Sequence, residues 1–305
     1  MSKADIEWVA VDWGTSNLRV WLFDEAGNVV SHRSSGDGMG NLAQGEFEPA
    51  LLSLISDNLP QGRITAVICC GMVGARQGWT EAPYQQVPCS PPGVAQAVGA
   101  PTTDRRLKVS VLPGISQAHP PDVMRGEETQ VAGYLSMNTD FDGVICLPGT
   151  HTKWIRLRGG EIVNFCSFMT GELFSILSKH SVLRHEMTDE GWDDDAFLAG
   201  VRDTLARPEC MTAELFSIRA AGLLHRHSGP AARARLSGLL VGLELAGARS
   251  FWSGEQLVLI GSEALARLYE TALTAQGANA DCVNADAVTL AGLKAAYEST
   301  LRSGS

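Results

Sequence analysis

No stretch of the 305-residue sequence comes near the roughly 20 consecutive apolar residues of a membrane-spanning helix, which excludes a helical membrane protein. Met1 to Asp5 lead straight into a strand-like pattern with no apolar signal core, so a cytoplasmic protein is expected. Positive charge is scarce. The 24 Lys and Arg stand against 34 Asp and Glu, a net charge of −10, which argues against a sequence-independent grip on nucleic acid, since that needs a basic face. A small anionic ligand stays allowed, because a few local cations decide that. Paired cysteine is missing too: the seven cysteines, at 69, 70, 89, 146, 166, 210 and 282, form no CxxC and mostly sit inside apolar strands. Reduced thiols are expected, not a disulfide framework or a zinc site. The histidines at 180 and 185, and at 225 and 227, lack partners at metal-ligand spacing. Low-complexity linkers are absent. With 45% hydrophobic and 19% charged residues the chain reads as an ordinary globular protein, long enough for two domains.

What is present begins with Val9 to Asp24, VAVDWGTSNLRVWLFD, which reads as strand, tight glycine-centred turn, strand. Its flanks are rich in β-branched and aromatic residues, and Gly14 can take the φ > 0 that a non-glycine residue would resist. The turn offers successive backbone N–H groups, the hydroxyls of Thr15 and Ser16, and Asp12 two residues before the glycine. Those groups suit a phosphate and a hydrated cation. An ordinary hairpin also favours Gly-Thr-Ser, but the chain writes the pattern twice. Gly143 to Leu157, GVICLPGTHTKWIRL, again gives an apolar strand, a Gly-Thr turn and a strand with Trp and a cation. The two glycines, 14 and 149, stand 135 residues apart, and aligning them brings the next hairpins into step at Gly27 and at Gly159-Gly160. Two related lobes follow from that repeat.

Around the repeat the chain is α/β. Phe47 to Leu59 has helical spacing, and Ile64 to Cys70 is a continuous apolar run of buried-strand type, together a β-α-β crossover. Gly71 to Tyr84, GMVGARQGWTEAPY, lies just beyond that strand's carboxyl end, where open α/β sheets bind ligands. Arg76 there suits a carboxylate, and Trp79 and Tyr84 suit the C–H side of a sugar-like chain; packing of the loop on its own aromatics is the alternative. Leu107 to Gly114 is expected as the last strand of the first lobe. A helix starting near Arg125 then carries Glu127 and Glu128 in its first turn. Acids in a first turn also simply complement the helix dipole. In the second half, Gly171 opens a helix and 188–195 is an acidic insertion expected to be a plain surface loop. Two helices at about 212–226 and 231–249 follow, then strand, Gly261-Ser262 turn and helix, a short strand at 278–283 and a last helix from about 285. Gly238 and Gly242 let one face of the second long helix approach another backbone.

Paired phosphate turns of this kind resemble the superfamily of sugar kinases, actin and heat-shock chaperone ATPases. Four motifs are similar to those of the 2-dehydro-3-deoxygalactonokinase family: VDWGTSNLR at 11–19, CGMVGARQGW at 70–79, RGEETQ at 125–130 and LPGTHTKW at 147–154. The likeness runs from about residue 8 to about 297. It implies two ribonuclease H-like (actin-like ATPase) lobes, each a mixed β-sheet flanked by helices, around a central cleft. Residues 1–140 would form the sugar-acid lobe with the first phosphate loop and 141–305 the ATP lobe, with the last helix free to return to the first lobe. It also implies ATP-dependent transfer of a phosphoryl group to the 6-hydroxyl of 2-dehydro-3-deoxy-D-galactonate, with Mg²⁺, in galactonate catabolism. Partners are the small acid and ATP, neither nucleic acid nor membrane; a homodimer is left open.

On that resemblance Asp12 would hold Mg²⁺ through water, and Gly14, Thr15, Ser16 and Asn17 would meet the transferred phosphoryl. Gly149, Thr150, His151 and Thr152 would meet the β- and γ-phosphates, with Gly171 near them, and Gly261 and Ser262 would contact the adenosine. Arg19 and Lys153 would either neutralise phosphate or pair with an acid across the cleft. Glu128, or else Glu127, would accept the acceptor hydroxyl's proton. Met39, Asn41, Gly71, Met72, Arg76, Trp79, Tyr84 and Arg125 would line the substrate, with its carboxylate read by Arg76 or Arg125. A kinase for another sugar or sugar acid is the nearest rival reading. An ATP-gated binding protein of the actin or chaperone type is a more distant one, because the chain leaves no room for their added domains.

Overall fold

The structure, a computed structural model, describes residues 6–188, 190–225 and 228–303; Met1 to Asp5 and His227 lie outside them. The chain divides into two units. The first comprises 1–141, 158–164 and 285–305, and the second 142–157 and 165–284, so a division at 140/141 is crossed twice.

The first unit is laid down by β1 (Trp8–Trp13), β2 (Leu18–Phe23), β3 (Val29–Ser35), α1 (Phe47–Ile55) and β4 (Thr65–Gly71). It continues with β5 (Tyr84–Gln86), β6 (Val98–Gly99), β7 (Leu107–Val111), β8 (Gly114–Gln117), β9 (Asp122–Met124) and α2 (Glu127–Met137). Its main sheet has the order β3-β2-β1-β4-β7-β6, with β1 antiparallel to β2 and parallel to β4. Strand periodicity explains why β1 is buried on both faces. Val9, Val11 and Trp13 point into a core with Phe47, Leu51 and Ile55 of α1, whereas Trp8 and Ala10 join a second core with Leu293 and Ala296 of the last helix. Asp12 shares the parity of Trp8 and Ala10 and sits at the strand's end, level with Arg19 on β2 and Cys70 on β4. The strand expected to run from 107 to 114 stops at Val111. Pro113 lacks the N–H a ladder needs, and Gly114 opens a separate three-stranded sheet of order β5-β8-β9.

The second unit consists of β10 (Gly143–Leu147), β11 (Thr152–Arg158), β12 (Glu161–Phe168), α3 (Thr170–His180), α4 (Asp194–Ala206) and α5 (Met211–His225). After them come α6 (Gly229–Gly247), α7 (Arg249–Trp252), β13 (Leu257–Gly261), α8 (Glu263–Thr274) and β14 (Ala280–Asn284). Its sheet has the order β12-β11-β10-β13-β14, an antiparallel meander followed by two parallel strands. That repeats the order and sense of β3-β2-β1-β4-β7. Gly238 and Gly242 do bring α6 against a neighbour: a Cβ on either would lie 2.0 Å from the carbonyl oxygen of Phe197 or 2.4 Å from that of Val201, both on α4.

The last helix, α9 (Ala285–Ser303), belongs to the first unit. It crosses α2 where Gly133 and Gly292 leave no room for side chains, a Cβ on Gly133 falling 1.8 Å from the Val288 carbonyl oxygen. This crossing anchors the helix that begins with the two glutamates.

Candidate active site

In the first unit three segments meet at the carboxyl end of β4. Gly71 has φ +91° and Gly126 φ +108°, backbone states that favour glycine. A Cβ on Gly71 would lie 2.7 Å from the Trp13 carbonyl oxygen and 3.4 Å from Asp12 Oδ1, and a Cβ on Gly126 would lie 3.4 Å from Gly71 Cα. Glycine at both positions therefore lets the β1 end, the β4 end and the start of α2 close up. Burial, Asp12 and Glu128 together hold the pKa of the neighbouring Cys70 thiol up, so both carboxylates bear on this point.

Glu128 is buried, 1% exposed. Its carboxylate accepts the Gly126 N–H at 2.6 Å and the Thr129 hydroxyl at 3.3 Å. Burial and the neighbouring Glu127 charge push its pKa up to about 8, against the opposing pull of the Gly126 N–H and the Arg125 charge. A carboxyl in that range can exchange a proton near neutrality. Glu127, by contrast, accepts the Arg125 N–H at 3.0 Å and acts as a cap of the turn.

Asp12 is paired within its own unit. Arg19 donates to Asp12 Oδ2 from Nε at 3.1 Å and from one Nη, while its other Nη pairs with Asp286 at the start of α9. Burial works against the Arg19 charge, and the two carboxylates outweigh it and hold its pKa above the ordinary value. Arg19 is thus committed to two acids of the first unit and not to an acid of the other lobe. Asp12 Oδ1 meets the Cys70 thiol at 3.8 Å.

The turn between β1 and β2 leaves Thr15, Ser16 and Asn17 exposed. Gly14 donates its N–H to the Asn17 carbonyl at 3.0 Å, which closes the turn without a positive φ at Gly14. The 38–41 segment laces onto this turn, with Met39 N–H donating to the Gly14 carbonyl at 2.9 Å and Gly40 N–H to Thr15 at 2.8 Å. Asn41 ties its own loop through the Gly36 carbonyl.

Of the glycine-rich loop, Arg76 is exposed and Met72 half-buried. Trp79 does not face a ligand. It is 4% exposed, packs edge-on against Trp13 at 5.9 Å and alongside Phe47 at 6.3 Å, and donates its indole N–H to the Pro101 carbonyl at 3.1 Å. The first core claims this ring, a correction to the expectation of a sugar contact. Arg125 is buried with its guanidinium 4.3 Å beneath the Tyr84 ring and donates one Nη to the Ala82 carbonyl at 2.7 Å. Among the described residues its Nε and second Nη have no hydrogen-bond partner. Buried guanidinium donors without acceptors are costly, and here the charge is held under a half-exposed ring.

In the second unit the turn between β10 and β11 opens into a cavity of about 400 Å³. Gly149, Thr150, Thr170, Gly171 and Ser262 form one part of its lining; Phe174, Trp192, Arg233, Ser237, Leu240, Leu265, Leu268 and Tyr269 form much of the rest. Gly171 starts α3 directly on the turn, and Glu172 N–H donates to the Thr150 carbonyl at 3.0 Å. Ser262 precedes α8 with its hydroxyl uncommitted to capping, and a Cβ on Gly261 would lie 3.7 Å from the Pro148 ring, an ordinary contact. A lining that combines backbone N–H groups, helix N-termini and hydroxyls with aromatic and aliphatic walls suits a ligand with an anionic tail and a flat head.

The three residues after Thr150 take different places. Thr152 is fully buried and faces Tyr269, with 3.0 Å between hydroxyls. Lys153 is 5% exposed and donates to the His151 carbonyl at 3.1 Å, supporting the turn from beneath. His151 is exposed and bound to Glu172 at 2.6 Å. Thr152 and Lys153 start β11 on opposite faces of the strand, and both faces are covered there. The far wall escaped sequence reading. Trp192 stands in the acidic insertion expected to be plain surface, while Arg233, Ser237 and Leu240 recur at helical spacing on α6, a signal that was available.

Two α/β units whose sheets repeat one strand order, each with a glycine-threonine turn after its first strand, define the two-lobed class of actin-like ATPase and sugar-kinase folds. Within that class, the 2-keto-3-deoxy-galactonokinase family model matches residues 12–296, and the chain belongs to this family. A Rhizobium meliloti protein described as a probable 2-dehydro-3-deoxygalactonokinase is 42% identical over 305 residues, 95% of this chain and 96% of its own. The Escherichia coli 2-dehydro-3-deoxygalactonokinase is 31% identical over 290 residues, 94% of this chain and 96% of its own. A crystal structure from Sinorhizobium meliloti, assigned to the same enzyme, superposes with a TM-score of 0.88 at 40% identity, covering 96% of this chain and 99% of its own.

Proposed function

We propose that this chain is an ATP-dependent kinase that transfers the γ-phosphoryl group to the 6-hydroxyl of 2-dehydro-3-deoxy-D-galactonate in the cytoplasm. Family membership supports the acceptor. The observation that carries the residue assignment is Glu128, a buried carboxyl with a pKa near neutrality at a strand end that also holds Asp12. A general base works best with a pKa near the working pH, and Glu128 meets that condition. Glu128 is accordingly assigned to accept the proton of the acceptor hydroxyl as the O–P bond forms.

In the first unit Thr15, Ser16 and Asn17 are assigned to the transferred phosphoryl. Asp12 offers a single carboxylate with one oxygen already held by Arg19, a donor set that fits a hydrated Mg²⁺ held through water and not a dehydrated ion. Magnesium, when bound, neutralises charge on the β- and γ-phosphate oxygens. Gly71, Met72, Met39, Asn41 and Tyr84 are assigned to the acid, and Arg125 to its carboxylate, reached once Tyr84 turns aside. In the second unit the 400 Å³ cavity is assigned to the nucleotide, with Gly149, Thr150 and Gly171 of its lining at the phosphates and Ser262 of its lining, preceded by Gly261, at the adenosine.

An ADP-release assay over a panel of acceptors tests the reading. 2-Dehydro-3-deoxygalactonate should give the highest kcat/KM, above its C4 epimer and above neutral sugars. A different best acceptor would replace the assigned substrate, and no ADP release with any would remove the kinase assignment.

A further inference from the structure

Glu244 lies on α6, 2% exposed, and plays no part in the roles assigned above. Its carboxylate gathers donors from three other elements. Trp154 of β11 donates its indole N–H to Oε1 at 2.8 Å, Tyr269 of α8 donates its hydroxyl to Oε2 at 2.8 Å, and Thr170 at the start of α3 donates its hydroxyl to Oε2 as well. Tyr269 in turn meets Thr152 at 3.0 Å. Thr170 and Tyr269 line the 400 Å³ cavity, and Thr152 and Trp154 follow directly on the Gly149-Thr150 turn.

We infer that Glu244 is a positioning residue for the nucleotide half of the site: one buried carboxylate sets the place and the hydrogen-bond polarity of the phosphate turn and of the two cavity walls beside it. The inference rests on the assignment of this cavity to the nucleotide. An ionised carboxylate only accepts, so Tyr269 must spend its proton on Glu244. The contact between Tyr269 and Thr152 is then donated by Thr152, and the order Thr152 to Tyr269 to Glu244 is fixed. Thr170, its proton also turned inward, presents lone pairs to the cavity, which leaves donation to phosphate oxygens to the backbone N–H groups of the turn and of α3. Burial holds the pKa of Glu244 above the ordinary value against hydrogen bonds from Thr170, Trp154, Tyr269 and Thr152 that lower it, so their loss would favour the neutral acid further. A satisfied buried network of this kind holds its members in one arrangement, and a half-satisfied one does not.

Glu244→Gln keeps the size of the side chain but introduces an amide that can donate, so Thr170 or Tyr269 must reverse. The expected result is a rise of about 10-fold in the KM for ATP and in the dissociation constant of ADP by calorimetry, the loss of a charged hydrogen bond. The KM for the sugar acid should stay within about twofold, because the change is confined to the nucleotide side. Tyr269→Phe, which removes one hydroxyl and keeps the ring, should shift ADP affinity in the same direction, and it carries the test if Glu244→Gln does not fold. Equal rises in both KM values, or unaltered ADP affinity in the folded variants beside a lowered melting temperature, would overturn the inference and leave Glu244 a structural residue. Wild-type protein that binds no ADP would instead bring down the nucleotide assignment, and this inference with it.

Discussion

A Cβ on Gly171 would lie 2.3 Å from the carbonyl oxygen of Gly149 and 2.9 Å from Thr150 Cα. Backbone atoms cannot give way as a flexible side chain can, so α3 starts on the Gly149-Thr150 turn only because residue 171 has no side chain. Gly171→Ala should push the turn from the helix N-terminus and cost roughly 1–3 kcal/mol of stability, the usual penalty of overpacking. Nucleotide affinity should fall about 10-fold or more with the turn displaced. Thermal unfolding with and without ADP checks both, and a variant with wild-type ADP stabilisation would show that the contact is not needed for the turn's shape.

Glu128→Gln keeps the shape of the site, since an amide oxygen can still accept the Gly126 N–H that now meets Oε2 at 2.6 Å. It removes the proton acceptor. Turnover should drop by ~10²–10⁴-fold with the KM for the acid little changed. Steady-state kinetics decide the matter. Near-normal turnover would pass the role to Glu127, whose carboxylate already caps the Arg125 N–H at 3.0 Å.

The same residue makes activity and stability depend on pH in opposite senses. A base must be ionised, so kcat/KM should climb with pH up to about 8 and level off above it, and Glu128→Gln should lack that limb. For stability, the folded pKa of about 8 lies above the ordinary 4.5, so the folded state holds the proton more tightly than the unfolded state does. The contribution is therefore complete below pH 4.5 and is lost as pH rises through about 8. Glu128→Gln has no such loss. Its stability relative to wild type should rise by at most about 1.4 kcal/mol per pH unit across that window. Urea unfolding of both proteins at three pH values measures the difference, and parallel curves would show that Glu128 titrates normally.

How much of this was legible from the residues alone depends on whether a local pattern or a distant contact decides the outcome. The twin turns at Gly14 and Gly149 are written in strand alternation and glycine placement, so the repeated sheet order follows from sequence. Arg19 and Asp12 stand level on neighbouring strands, a hairpin relationship, whereas Asp286 reaches Arg19 only because α9 returns to the first unit. Trp79 misled because an aromatic among glycines resembles a ligand platform. The first core between Trp13 and Phe47 had a gap of its size, and nothing local records that. Thr152 misled in the same way: its position after the turn is local, but Tyr269, which turns it inward, lies 117 residues on. Phe174, Trp192 and Arg233 come from three separate segments and become one wall only when α3, the 188–195 insertion and α6 pack together.

Arg125 and Arg76 were equal candidates for the substrate carboxylate in sequence, and the structure separates them by environment. Arg76 is exposed, where water and salt weaken any pairing. Arg125 is 9% exposed with two guanidinium nitrogens lacking acceptors among the described residues, so an arriving carboxylate would relieve an existing cost as well as add a pair. Arg125→Met should raise the KM for the acid by about 10- to 100-fold, the range of a charged hydrogen bond or two. Arg76→Met should change it by less than about threefold, as exposed pairs do. Because Arg125 now carries unsatisfied donors, its replacement should leave the melting temperature at or above that of wild type, unlike the usual removal of a buried polar group. A fall in stability with an unchanged KM would instead make Arg125 a brace for the Ala82 carbonyl, and a large effect of Arg76→Met would move the carboxylate to the loop surface.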